Sequence, residues 1–403
     1  MAFQSTRDPA RRQLLLLTTI LFVSYICVAV SLPTVPIYVT GRLGLSNVWA
    51  GLGVGIAFLT TIVTRGYAGS LSDRRGAKLA VALGLLFYAA GALASLTAGL
   101  ASDAPLTAYL ILLGGRLLLG LGESLVGVGV IAWGVSLVGK PRSGKVLALI
   151  GAAIYGAFAV GGPIGLALFD RFGFSGAMAA SAVLPCLGLL AVWPIAGVEA
   201  HPEGDRASFW SVIGKIWLYA SIICLQGIGF ANIGAFFALY FLGQNWSYAG
   251  LGLTAFGSGF VLVRVLFGHL PDRVGGLPVA IGSLAVEAIG QIMIWSAGDP
   301  MLALVGAFLT GLGCSMIFPA MGREVVHLVD AHLRGTALGG FIAFQDLAYG
   351  LTGPLAGLLA DQAGYGSVFL IGGIAAAAGL LIAFYLSRTQ FNLTLFGESK
   401  HRS

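Results

Sequence analysis

Three ionisable side chains lie deep inside long apolar stretches of this chain: Arg116 and Glu123 in one, Asp346 in another. Charged groups in lipid-like surroundings are costly, and they usually face an interior cavity or a partner on an ion or substrate pathway. Arg116 and Glu123 are seven residues apart, so a helix would put them on one face about 10 Å apart along its axis. Because desolvation favours the uncharged form of a carboxylate, such a Glu123 could take up and release protons. The same two residues could equally form a structural ion pair. Asp346, with Gln345 beside it, is either a second proton or cation site or a polar tie to a neighbouring helix. Tyr25, Trp133, Gln226 and Asn232 could give an apolar cavity a few polar handles, with Phe230, Phe236 and Phe237 as walls, or could serve only packing.

Other chemistries find no support. The sequence has no Gly-x4-Gly-Lys-Ser/Thr loop to cradle a nucleotide, and no His/Cys group with metal-ligand spacing. No cofactor, metal or catalytic residue is expected. His327 and His332 accompany Arg323 and Glu324 in a charged loop, which predicts solvated side chains.

The elements that must position these residues follow from composition. Hydrophobic residues make up 58% of the chain and charged residues 9%, against roughly 25% charge in soluble domains. A bilayer core needs about 20 apolar residues per helix. Runs of that kind predict an all-α membrane protein with twelve spans. The first six run Leu14 to Val39, Val48 to Ala68, Leu79 to Ala98, Leu106 to Val138, Val146 to Phe169 and Gly176 to Ala196. The second six run Ile216 to Phe241, Ala249 to Phe267, Val279 to Ala297, Met301 to Ala320, Ala337 to Leu359 and Val368 to Tyr385. The first run is too long for a signal peptide core. Cys27, Cys186, Cys224 and Cys314 all fall within apolar runs, as small hydrophobes rather than disulfide partners.

The chain also repeats itself. Arg65, Gly69, Asp73, Arg74 and Gly76 recur at the same spacing as Arg264, Gly268, Asp272, Arg273 and Gly275, each set closing one apolar run and opening the next. Gly69 would permit close backbone approach and Gly76 a turn with positive φ. Gly162-Pro163 with Asp170 and Gly173 likewise recurs as Gly353-Pro354 with Asp361 and Gly364. Landmarks in register predict two parallel six-helix repeats, over residues 1–196 and 212–403, joined by a cytoplasmic linker at 197–211. Lysine and arginine concentrate at the termini and in the even-numbered loops, which predicts cytoplasmic termini. The net charge of +6 reflects that asymmetry rather than nucleic-acid binding.

The segment Gly69-Ser-Leu-Ser-Asp73-Arg74-Arg75-Gly76-Ala-Lys78 resembles the signature loop of the major facilitator superfamily, between its second and third helices. The resemblance spans essentially the whole chain. It looks closest to a group of uncharacterised proteobacterial inner-membrane members related to sugar-efflux and drug-efflux carriers, through Ser31-Leu-Pro33 with Pro36 and Tyr38, Arg116 to Glu123, and Thr352-Gly-Pro-Leu-Ala-Gly357. It implies that the signature loop steadies one conformation, that Arg116 is linked to proton coupling, and that Asp346 lies on a cavity-lining helix. Glu287 would lie on a helix outside that set, paired with Arg264. The family's exporter signature on the fifth helix is broken here by Phe158 and Leu166.

The expectation is a monomeric secondary carrier in a bacterial inner membrane, exporting a small organic solute against protons by alternating access. An uncoupled facilitator, a proton-driven importer and a non-transporting sensor are the rival readings.

Overall fold

The computed structural model describes residues 9–139, 143–195, 197, 209–330 and 333–400. The 197–211 linker, His332 and the basic residues Arg7, Lys140, Arg142, Arg206 and Arg402 lie wholly or largely outside the described residues. The chain is helical throughout those residues: α1 (Pro9–Ile37, continued by a π-helical turn Tyr38–Arg42), α2 (Asn47–Arg75), α3 (Ala77–Leu100), α4 (Pro105–Val138), α5 (Ser143–Val192) and α6 (Phe209–Gly243). Then follow α7 (Leu251–Phe267), the short α8 (Leu270–Val274), α9 (Gly276–Trp295), α10 (Pro300–His327), α11 (Arg334–Ala363) and α12 (Tyr365–Lys400).

Nine helices among the described residues are long and apolar enough to cross a membrane. The count of twelve spans is reached because α5 contains two of them, α7 is apolar but only 17 residues long, and α11 carries Gln345 and Asp346 in its middle. The chain turns inside α5 at Gly173, whose φ of 68° only glycine adopts easily. Large apolar side chains such as Leu86, Leu93, Leu190, Val265 and Leu381 point outward from the bundle, as lipid-facing residues do. Trp49, Trp193 and Trp295 are exposed at helix ends, where amphipathic rings suit a membrane interface.

The repeated sequence signals produce repeated backbone. Gly76 ends α2 with φ 91° and ψ 146°, and Gly275 ends α8 with φ 94° and ψ 160°. Each amide donates back into the preceding turn, Gly76 to Ser72 and Gly275 to Pro271. Gly364 repeats the positive φ of Gly173. Packing follows the same rule: α3 lies on α4 as α9 lies on α10, and α1 lies on α5 as α6 lies on α11.

Two crossings close the bundle, α2 with α11 and α5 with α7. Both are built on glycine. A Cβ on Gly51 would come within 1.9 Å of the Gly353 carbonyl oxygen, and one on Gly55 within 2.2 Å of that of Gly350. On the other crossing a Cβ on Gly257 would meet the Ala159 methyl at 2.5 Å. At one end the Asp361 carboxylate accepts from the Asn47 side chain at 2.7 Å and from its amide at 3.2 Å, sitting on the positive end of α2. Tyr365 donates to the Asn47 side chain at 3.1 Å. Toward the other end, which carries the two charged turns, Gly66 and Gly69 on α2 and Gly339 on α11 face open space. The close approach expected at Gly69 is therefore absent from this conformation, although Ala68 and Leu71 beside it stay packed against α3 and α4. The bundle is closed at Asn47 and splayed at the charged turns.

Candidate transport site

Three ionisable residues of the apolar stretches, Arg65, Glu123 and Asp346, come together beside the α2–α11 crossing. Arg65, on α2, forms an ion pair and hydrogen bond with Asp346 on α11, and the Thr61 hydroxyl lies beside the same carboxylate. Two helical turns before Asp73, Arg65 is placed where its guanidinium could reach the polar membrane surface. It turns inward because an unpaired carboxylate one helix away is a better partner than the interface. The side chains keep 27% and 10% of their surface, respectively.

Glu123, on α4, is within electrostatic range of both members of that pair. One of its oxygens accepts from the Tyr25 hydroxyl at 3.2 Å and the other has no hydrogen-bond partner among the described residues. It does not form the ion pair with Arg116 that the spacing allowed. The Arg116 guanidinium instead donates to the Gly53 carbonyl at 2.9 Å, the Ser31 hydroxyl at 2.6 Å and the Val54 carbonyl at 3.4 Å. Those bonds tie α4 to α1 and α2. The reason is proximity: the glycine-bearing turn of α2 presents its backbone directly to the arginine.

An aromatic floor lies beneath these charges. Tyr155 stacks on Phe260, and its hydroxyl bonds to that of Tyr349, to which Gln345 donates at 2.9 Å. Phe230 packs against Phe158 at 5.1 Å and Tyr349 at 4.8 Å, and Phe58 meets Tyr349 edge-on. Arg264, the repeat counterpart of Arg65, lies over the Phe260 ring at 5.3 Å. It has no carboxylate to meet, because the position matching Asp346 is Tyr155. Seven helices, α1, α2, α4, α5, α6, α7 and α11, thus supply one cluster of two carboxylates, two arginines and an aromatic surface.

The structure brings Tyr25, Glu123, Gln345 and Asp346 together and sends the other polar candidates elsewhere. Asn232 donates to the Val368 carbonyl at 2.8 Å, toward α12, and Gln226 lies beside Cys314 on α10. Trp133 is enclosed in the helix packing, its indole nitrogen without a partner. Glu287 and Arg264 do not pair; Glu287 lies against Cys314, deep between α6, α9 and α10. Arg65, Tyr155 and Tyr349 are among the cluster members that sequence reasoning passed over as site residues, with Arg264, Phe58 and Phe260. The signal available for Arg65 was its repeat partner: an arginine twice placed inside an apolar run, two turns before the charged turn.

The motif residues sit at the splayed end. Arg74 and Arg75 are exposed, and Lys78 donates to the Trp193 and Ile195 carbonyls at 2.8 and 2.7 Å, capping the end of α5. In the second copy, Glu324 takes this fastening role: it accepts from the Gly276 amide at 2.9 Å and pairs with Arg323 at 3.0 Å.

Comparison with known proteins places this geometry. The sequence profile described as the Major Facilitator Superfamily matches residues 17–242 and 219–401. The chain is 40% identical over 368 residues to an uncharacterized MFS-type transporter of Salmonella typhimurium, covering 91% of this chain and 95% of that one. It is 39% identical over 388 residues to an uncharacterized MFS-type transporter of Pseudomonas aeruginosa, covering 96% of each. Among solved structures the fold resembles a D-xylose-proton symporter, with a TM-score of 0.78 at 17% identity over 93% of this chain and 97% of that one. It also resembles a nucleoside transporter, with a TM-score of 0.75 at 14% identity over 92% and 99%. The chain belongs to the major facilitator superfamily of multi-pass membrane transporters.

Proposed function

We propose that this transporter exports a small organic solute in exchange for protons, by alternating access between halves formed by residues 1–196 and 212–403. The observation that carries the reading is the Arg65–Asp346 pair, which joins α2 to α11 with Glu123 and Tyr25 beside it. A proton on Asp346 removes the charge that holds Arg65, so protonation and the parting of α2 from α11 favour one another. Glu123 is the second proton carrier, within electrostatic range of the pair. Arg116, two turns before Glu123, fixes α4 against α1 and α2 and adds its own positive charge nearby. A proton arriving from outside and one solute molecule leaving then use the same cluster in turn.

The substrate class follows from the lining. Two carboxylates above Tyr155, Phe158, Phe230 and Tyr349 suit an amphipathic solute with a cationic group, through charge and cation–aromatic attraction. Tyr25 and Gln345 supply the orienting hydrogen bonds. Basic residues cluster at the splayed end, so that end faces the cytoplasm, as do both termini, and the structure is the inward-open, solute-loading conformation. The two glycine-ended charged turns, Gly69 to Gly76 and Gly268 to Gly275, latch the opposite conformation when that end closes. The protein functions as a monomer in a bacterial inner membrane.

The test begins with a metabolite comparison of medium from cells lacking and overproducing the protein, which supplies the solute. Uptake of that solute into everted vesicles is then measured under an imposed pH gradient. Uptake should follow the gradient and fall at least tenfold in Glu123→Gln or Asp346→Asn. Full gradient-driven uptake in both variants would refute the assignment of these carboxylates.

A further inference from the structure

The α2–α11 and α5–α7 crossings are repeat counterparts, but their charges differ. On the first, Arg65 meets Asp346. On the second, three positions of α7 face three of α5 in turn. A Cβ on Gly257 would meet the Ala159 methyl at 2.5 Å, and Phe260 stacks on Tyr155. Arg264 comes next, its Nη2 4.0 Å from where a Cβ on Gly151 would stand. Gly257, Phe260 and Arg264 share one face of α7 by helical spacing, as Gly151, Tyr155 and Ala159 share one face of α5. Arg264 is therefore turned onto α5 rather than outward to lipid, on the side of the crossing that leads to the splayed end.

Nothing there balances its charge. No carboxylate pairs with Arg264 among the described residues, and its Nε is buried without a hydrogen-bond partner. The Phe260 ring, 5.3 Å away, supports the cation but carries no counter-charge. The titratable group in electrostatic range is Tyr155, whose hydroxyl bonds to that of Tyr349. The space beside these groups is open. Apart from Arg264 and its own helix, no described residue comes within 4 Å of the Cβ position of Gly151.

A charge in helix packing is costly without a partner, and such residues mark substrate or ion pathways. Asp346 supplies the partner on the first crossing. Its repeat mate on the second is a neutral phenol, so the missing anion comes from outside the chain. Phe158 and Phe230 pack around Tyr155 at 5.7 and 6.2 Å, which favours an anion carried on an apolar body. One guanidinium balances one charge, and its planar fork matches a carboxylate.

We propose that Arg264 and the Tyr155 hydroxyl form a subsite for a carboxylate of the transported solute. This rests on the reading of the cluster as the solute site, and it sharpens the substrate class. With the cationic group already assigned to the two acidic residues, the solute is an amphipathic zwitterion. When bound, it completes on the second crossing the ion pair that the chain itself supplies on the first.

The test needs neither a pH gradient nor the natural solute. Purified full-length protein is dialysed to equilibrium at neutral pH against radiolabelled phenylbutyrate or phenylbutanol, which share an aryl chain and differ in charge. The wild type should bind both saturably and the acid at least tenfold more tightly. Arg264→Gln should erase that preference while keeping the alcohol, which also shows that the variant is folded. Tyr155→Phe, which keeps the ring and loses the hydroxyl, should reduce the preference several-fold. Equal binding of acid and alcohol by the wild type would overturn the anion subsite and leave the aromatic site standing. Binding of neither would overturn both readings. A preference for the acid that survives in Arg264→Gln would place the anion elsewhere and overturn the proposal.

Discussion

Replacing Asp346 with Asn keeps the shape of the side chain and removes its charge, leaving Arg65 across the α2–α11 crossing without the carboxylate it pairs with. Breaking a fully buried ion pair by removing one partner costs about 3–5 kcal/mol, whereas an exposed pair contributes roughly 1 kcal/mol or less. Asp346 is nearly enclosed and Arg65 keeps about a quarter of its surface, 10% and 27% exposed respectively, so an intermediate value of about 2 kcal/mol applies. That is roughly a thirtyfold change in an equilibrium constant. If the pair holds α2 to α11 only in the conformation described, the thirtyfold change falls on the balance between closed and open states at the Asn47 end. Spin labels at Ser46 and Gln362, both exposed at that end, report the balance as a distance distribution once the exposed Cys186 and the half-buried Cys224 are replaced. Asp346→Asn should turn a minor long-distance population into a comparable or major one. Arg65→Met should do the same, and the double variant should be no more open than either single one, a coupling of about 2 kcal/mol. Strictly additive effects of the two substitutions would refute the pair as a latch, whatever they did to transport.

Other outcomes follow from the same geometry. Gly51→Ala or Gly353→Ala places a methyl group against a backbone carbonyl of the facing helix, so the same spin labels should show the Asn47 end opened without loss of folded yield. Gly76→Ala and Gly275→Ala force alanine into a φ near 90°; each should destabilise the protein by about 1–3 kcal/mol, read as a lower unfolding temperature in detergent. Arg116→Lys loses the fork that reaches Gly53, Val54 and Ser31 together. Folded yield and thermal stability should fall in the absence of any pH gradient, because a point charge cannot replace three directed bonds. Asp361→Ala leaves the start of α2 uncapped and should weaken the closed end by roughly 1 kcal/mol.

How much of this was legible beforehand depended on whether a residue answers to its own helix or to a neighbour's. Gly76 and Gly275 were readable because positive φ is a local demand, met in both copies. The all-helical fold was readable because lipid leaves the backbone few alternatives. Glu123 and Asp346 were singled out by the rarity of charge in apolar runs. Their partners were not, since whether Arg116 meets Glu123 or the Gly53 carbonyl depends on how close α2 comes. That distance is set by packing on another helix, Gly120 of α4 lying so close that a Cβ on it would come within 2.1 Å of the Ala57 carbonyl oxygen of α2. Gln226 and Asn232 show the same limit: a polar side chain on an apolar helix announces that it needs a partner, but not on which side.

The glycine seam between α2 and α11 also bears on motion. Interlocked side chains would have to change rotamer before two helices could part, and each would add to the barrier. A seam that is mainly backbone against backbone, with Leu59 over Gly350 and Phe58 against Tyr349 as its side-chain contacts, has few teeth. What holds it is a few directed polar contacts, Asn47 with Asp361 at one end and Arg65 with Asp346 at the other. Such a joint behaves as a hinge plate with a catch at each edge: smooth between its stops, and set by whichever catch carries charge at the time.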